Sequence, residues 1–171
     1  RGRNKEIMQT STMVTPTEKT PEKQARYRLR MIVPAFPAFN VYSGFASCMT
    51  ALGPLCVATV ANKLRNWDVE VIDENNYRRP GPKDVDGSPD HERIQELRPA
   101  DVVAFYGGLT STIPRLYELA GKYKQMGLPT LAGGQHFVSD TIPEALQNGV
   151  DHIALGEGEE TIRDYLLAVE H

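Results

Sequence analysis

Cysteine is nearly absent from this 171-residue chain: Cys48 and Cys56 are its only two, eight positions apart. That spacing excludes a disulfide framework and a CxxC redox or zinc motif, and it favours a reducing, cytoplasmic setting. No apolar run reaches the roughly 18 residues that a membrane-spanning helix requires, and the first residues hold no apolar signal core. GxSxG and GxxxxGK[ST] are missing, which excludes a nucleophile elbow and a phosphate-cradling P-loop. GxGxxG does not follow the first expected strand, so a dinucleotide site is excluded there. The histidines, His91, His136, His152 and His171, are not spaced as zinc ligands.

What is present is ordinary for a globular chain: 40% hydrophobic and 24% charged residues. The net charge of −3 conceals an asymmetry. Residues 1–30 carry eight Lys/Arg against three Asp/Glu, and the remainder eleven against nineteen. An acidic body argues against a nucleic-acid surface. Residues 1–26 are polar, hold two prolines and show neither hydrophobic period, so they are expected to be a disordered arm preceding a domain at 27–171.

Beyond the arm, strands and helices alternate. Strands are expected at Leu29–Val33, Val69–Ile72, Asp101–Tyr106, Pro129–Ala132 and Asp151–Leu155. Helices are expected from Gly53-Pro54 to about Asn66, over His91–Leu97, from Ser111 or Thr112 (either able to cap) to Gly127, over Ile142–Gln147 and over Glu159–Val169. Alternation of this kind predicts a doubly wound five-stranded parallel sheet, order 2-1-3-4-5, with helices on both faces. Its ligand crevice belongs at the carboxyl ends of the strands, at the switch between strands one and three.

The stretch TLAGGQHFVSDTIPEALQNGVDHIALGEGEE (130–160) organises that edge. It reads as strand, Gly133-Gly134, helix, strand, Gly156-Glu157-Gly158. Glycine at a strand end lets backbone approach a ligand closely or supplies a positive φ; it also serves tight turns with no ligand. Glu157, Glu159 and Glu160 place negative charge at a helix N-terminus and would repel a phosphate there. The loop over 34–54 is rich in aromatic and small residues (Phe36, Phe39, Val41, Tyr42, Phe45), suited either to a large flat partner or to folding over the sheet edge. The crevice thus offers bare backbone, the Thr110 and Ser111 hydroxyls, the Gln135 amide and the His136 imidazole. This set suits holding a large neutral cofactor better than unaided chemistry. His136 reads as a cofactor contact or a cap donor, Asp73 as a ligand contact or a turn cap. Cys48 and Cys56 read as small buried apolar residues. A cofactor-free signalling or interaction module is the competing reading, weakened by the absence of an aspartate where strand three ends in Tyr106-Gly107.

The order LGP-helix, VEVID, DVVAFYGGLTST, PTLAGGQH, DHIALGEGEETIRDYL, from Met31 to about Val169, resembles the N-terminal cobalamin-binding domain of B12-dependent radical S-adenosylmethionine proteins. The resemblance implies a flavodoxin-like domain with the corrin across the strand ends and the nucleotide tail between sheet and helices. It implies a site lined by Leu52, Gly53, Thr110, Ser111, Gly133, Gly134, Gln135, His136, Gly156, Glu157 and Gly158. It further implies a domain excised from a longer enzyme of methyl-transfer or rearrangement chemistry, not itself catalytic. S-adenosylmethionine and the 4Fe-4S cluster would belong to a downstream radical domain, because two cysteines eight apart do not make CxxxCxxC. No histidine lies in the loop from Pro34 to Pro54, which departs from domains that ligate cobalt through a DxHxxG histidine. On this reading a valine at Gly134 is expected to abolish cofactor binding and leave the domain folded.

Overall fold

A computed structural model describes residues 26–40, 43–46, 48–49, 51–77 and 81–171. The expected arm therefore lies outside the described residues except for Arg26, as do Val41 and Tyr42 of the aromatic loop. Five strands, β1 (Tyr27–Val33), β2 (Trp67–Asp73), β3 (Val102–Tyr106), β4 (Thr130–Gly133) and β5 (His152–Ala154), form one parallel sheet in the order β2-β1-β3-β4-β5. The expected order is thus observed. Among the described residues six helices rather than five accompany it: α1 (Ser43–Ala46), α2 (Leu52–Asn62), α3 (His91–Leu97), α4 (Ile113–Gln125), α5 (Ile142–Gln147) and α6 (Gly158–Val169).

The period of two along the strands divides the core. Leu29 and Met31 of β1, Val102 and Ala104 of β3 and Leu131 of β4 pack with Ala58 and Ala61 of α2 and with Ile162 and Leu166 of α6. Ile32, Val103, Phe105 and Ala132 face the other way, onto Ile94 of α3, Leu116, Leu119 and Tyr123 of α4 and Ala145 of α5. Both faces are buried, as a parallel sheet requires.

Several local details differ from the sequence expectation. α2 ends at Asn62, and its buried face is Pro54, Ala58 and Ala61. Neither Ser111 nor Thr112 caps α4 through its side chain; the Thr112 hydroxyl donates back to the Leu109 carbonyl, closing a 3-10 turn at Thr110–Thr112. At Gly127, φ is +82°, the left-handed stop expected there.

Arg30 is one of the polar residues buried with the apolar core. It sits on the α4 face of β1 with its side chain fully buried. Its guanidinium donates to Glu70 Oε2 (3.0 Å), Gln95 Oε1 (2.5 Å), the Arg98 carbonyl (2.5 Å) and, more loosely, the Tyr123 hydroxyl (3.4 Å). A charge removed from water survives only with such partners. Arg30→Ala is expected to cost about 3–5 kcal/mol in urea denaturation, because Glu70 loses a partner beside the core. Arg28→Ala, which breaks the half-exposed Arg28–Asp68 pair, is expected to cost about 0–1 kcal/mol.

Candidate functional site

At the carboxyl edge of the sheet, a cleft of about 180 Å³ opens between the strand ends and the helices α2 and α6. Gly53, Pro54 and Val57 of α2 form one wall, and Gly156, Gly158 and Ile162 the opposite one. Ala104 of β3, Gly133 of β4 and Ala154 of β5 form the floor, and Tyr106 at the end of β3 also lines the cleft. The lining is shaped by missing side chains. A Cβ at Gly133 would lie 3.2 Å from Ala154 Cβ, and one at Gly158 would lie 3.0 Å from Val57 Cγ2. Bare backbone therefore keeps this space open.

Of the residues singled out from sequence, Gly53, Gly133, Gly134, Gly156 and Gly158 come together on this cleft. Leu52, Thr110, Ser111, Gln135, His136 and Glu157 do not line it. They occupy the segments that leave the same strand ends or open α2, with Leu52, Thr110, Gln135 and Glu157 exposed. His136 Nδ1 lies 3.3 Å from the Thr110 hydroxyl, so the imidazole bridges the exits of β4 and β3 and makes no helix cap. Its Nε2 is enclosed without a hydrogen-bond partner.

A second cavity, about 320 Å³ and mostly apolar, lies at the switch between β1 and β3. Phe36, Phe45 and Met49 of the aromatic loop line it, with Asp73 at the end of β2, Asn75 just past it and Leu109 beyond β3. Sequence reasoning flagged Phe36 and Phe45 but not the residues that hold their loop. Asn75 accepts from the Phe36 N–H (2.9 Å) and donates to the Pro34 carbonyl (3.1 Å). Asp73 accepts from the Asn75 backbone and side-chain N–H groups at 3.0 Å, which decides its role as a turn cap. Burial raises the Asp73 carboxyl, partly offset by those two bonds.

Glu74 completes the arrangement. Its carboxylate accepts from the Ala35 N–H (2.9 Å) and from Arg115 Nη2 (2.7 Å), and lies 3.1 Å from His91 Nε2, with 1% of the side chain exposed. His91 Nδ1 in turn lies 2.9 Å from the Tyr123 hydroxyl, whose pKa burial pushes up to about 12. Burial alone would raise the Glu74 carboxyl, but the bonds from His91, Arg115 and Ala35 outweigh it and hold it at about 2. Sequence showed Glu74 only as part of a polar loop; no periodicity marks a buried carboxylate just past a strand.

Two expectations need correction. Cys48 and Cys56 are exposed rather than buried, and they form no disulfide. Gly134 has φ +123°, and a Cβ there would fall 2.6 Å from the Gly107 carbonyl oxygen. Gly107 N donates to Gly133 O (2.7 Å) and His136 N to Gly107 O (3.0 Å), so the two strand exits are stitched together at that point. A valine at Gly134 breaks this stitch whether or not a ligand is bound. Among the described residues, no His, Cys, Asp and Glu side chains gather into a group able to hold a metal ion.

Comparison with known proteins gives one family: the B12 binding domain matches residues 44–166. Among solved structures, a novel cobalamin-binding protein from Desulfitobacterium hafniense DCB-2 superposes with a TM-score of 0.56 at 12% identity, over 84% of this chain. The chain spans 59% of that protein's length. A putative pilus assembly-related protein from Burkholderia pseudomallei K96243 gives a TM-score of 0.49 at 14% identity, over 88% of this chain and 93% of its own. None of the curated proteins matches.

Two measurements check the geometry. The Glu74 carboxyl sits at about 2 in the fold against an ordinary 4.5, so its stabilisation is complete above about pH 4.5 and is lost as pH falls toward 2. Glu74→Gln is expected to flatten that acid dependence in denaturant titrations and to cost roughly 3 kcal/mol at neutral pH. Gly134→Ala is expected to lower stability by at least about 1–3 kcal/mol, from backbone strain, in the absence of any ligand. An unchanged melting curve would contradict the stitched turn.

Proposed function

The chain belongs to the B12-binding domain family, and from that premise we propose that it holds cobalamin across the carboxyl edge of its sheet, as the cofactor-carrying part of a larger B12-dependent radical S-adenosylmethionine enzyme. The observation that carries the cobalamin reading is the glycine-lined cleft between sheet, α2 and α6, a cradle that added Cβ atoms would fill. Gly53, Gly133, Gly134, Gly156 and Gly158 would flank the nucleotide tail. Leu52, Thr110, Ser111, Gln135, His136 and Glu157, on the segments at the same edge, would meet the corrin and its amide side chains. Cobalamin supplies an alkyl or methyl group carrier; the protein's part is to bind and orient it and to exclude water. The order of the motifs from LGP to GEGE supports the radical-enzyme context. S-adenosylmethionine, a 4Fe-4S cluster and the reaction itself would belong to a further domain, and residues 1–26 would be an arm outside the binding domain at 27–171.

The protein would hold the cofactor without a histidine on cobalt. The loop from 34 to 54 has none. His91 is enclosed by Glu74 and Tyr123. His152 opens β5, at the strand end opposite the cleft. His136, tied to Thr110, stands where the chain leaves β3 and β4.

Hydroxocobalamin titrated into the full chain is expected to give a saturable base-off spectrum whose bands His136→Gln leaves unchanged at saturation; bands shifted in the saturated variant would show a histidine ligand. Gly53→Leu tests the cleft. A Cβ there meets Tyr106 at an ordinary 3.7 Å. The variant is expected to fold by circular dichroism and to bind at least about tenfold more weakly, since the side chain occupies the cleft. Unchanged affinity would remove the cleft from the site.

A further inference from the structure

The tail cleft and the larger apolar cavity share one wall. Tyr106, the last residue of β3, lines both. Its ring occupies the space that a side chain at Gly108 would need. A Cβ at Gly108 would fall 2.3 Å from Tyr106 Cζ and 2.4 Å from its oxygen, and one at Gly53 would approach Cε2 at 3.7 Å. The ring therefore lies between the first turn of α2 and the backbone leaving β3, where it stands as a partition between the two spaces. Gly108 does not have positive φ, so its backbone does not itself demand glycine. The ring it accommodates does.

We propose that Tyr106 is a specificity-determining residue, by which the site prefers a corrinoid carrying its nucleotide tail over the same corrin without one. This rests on the cobalamin reading. A rigid aromatic wall presents many close contacts along one side of the tail and adds little flexibility of its own. With the ring removed or displaced, the tail cleft opens into the 320 Å³ cavity lined by Phe36, Phe45 and Met49, and the tail loses that flank. A corrin lacking the tail does not enter the cleft and does not sense the change.

The test compares hydroxocobalamin with diaquocobinamide, which lacks the nucleotide tail, by absorbance titration of the full chain. The wild type is expected to favour hydroxocobalamin. Tyr106→Leu is expected to reduce that preference about tenfold, almost wholly through weaker hydroxocobalamin binding. Gly108→Ala, which pushes the ring off its seat, is expected to do the same, and Tyr106→Phe to retain the preference. Gly108→Ala decides the matter if Tyr106→Leu does not fold. An unchanged preference, or equal losses for both ligands, overturns the inference and leaves the cobalamin reading standing. A wild type that binds neither ligand overturns that reading, and this inference with it.

Discussion

A buried carboxylate holds the carboxyl edge of the sheet in shape. Glu74 joins three segments that leave the sheet at different strands: the start of the aromatic loop through Ala35, helix α3 through His91, and helix α4 through Arg115. Burying a charge is unfavourable unless each lone pair is met, and here the partners are a backbone amide, an imidazole and a guanidinium. The bonds are directional, so the segments they join take fixed relative positions. Asn75, the next residue, adds the Phe36 amide and the Pro34 carbonyl to the same attachment. The edge is thereby arranged before any ligand arrives, which reduces the ordering cost of binding.

The two faces of the sheet meet different demands. On the α4 face, large apolar residues and the Arg30–Tyr123–His91–Glu74 series fill the interior, and rigidity follows from polar satisfaction as much as from volume. On the α2 and α6 face, small residues prevail near the strand ends, and the cleft is the space they leave. The same glycine-rich character has two separate causes there. Gly53 and Gly158 keep space open, while Gly134 answers a backbone conformation and a close approach to Gly107. Their identity in sequence is the same; only the neighbours distinguish them.

Much of the architecture was legible in the chain because it rests on local, periodic signals. The alternation of strands and helices, with glycine after the third, fourth and fifth strands and proline at helix starts, predicted the parallel sheet and its order, and His91–Leu97 and Ile142–Gln147 fall where expected. The glycines after β4 and β5 and at the start of α2 were expected at one edge, and they line one cleft. What was missed depends on partners distant in sequence. Arg30 lies within the expected first strand with nothing local to mark its role, because its partners lie 40, 65, 68 and 93 residues away. Tyr106 read as the end of a strand, and its place as a wall follows from Gly53 and Gly108 on either side.

By itself, then, the sequence determined the strand order, the edge where glycines gather and the absence of a histidine in the loop after β1, since each is a matter of local pattern and residue identity. Tertiary structure alone decided which glycines leave space and which answer strain, that Cys48 and Cys56 face solvent, and that Glu74 and Arg30 are buried with full sets of partners. The physical reason is that burial, charge satisfaction and cavity shape belong to sets of residues brought together only when the strands pair and the helices cover them.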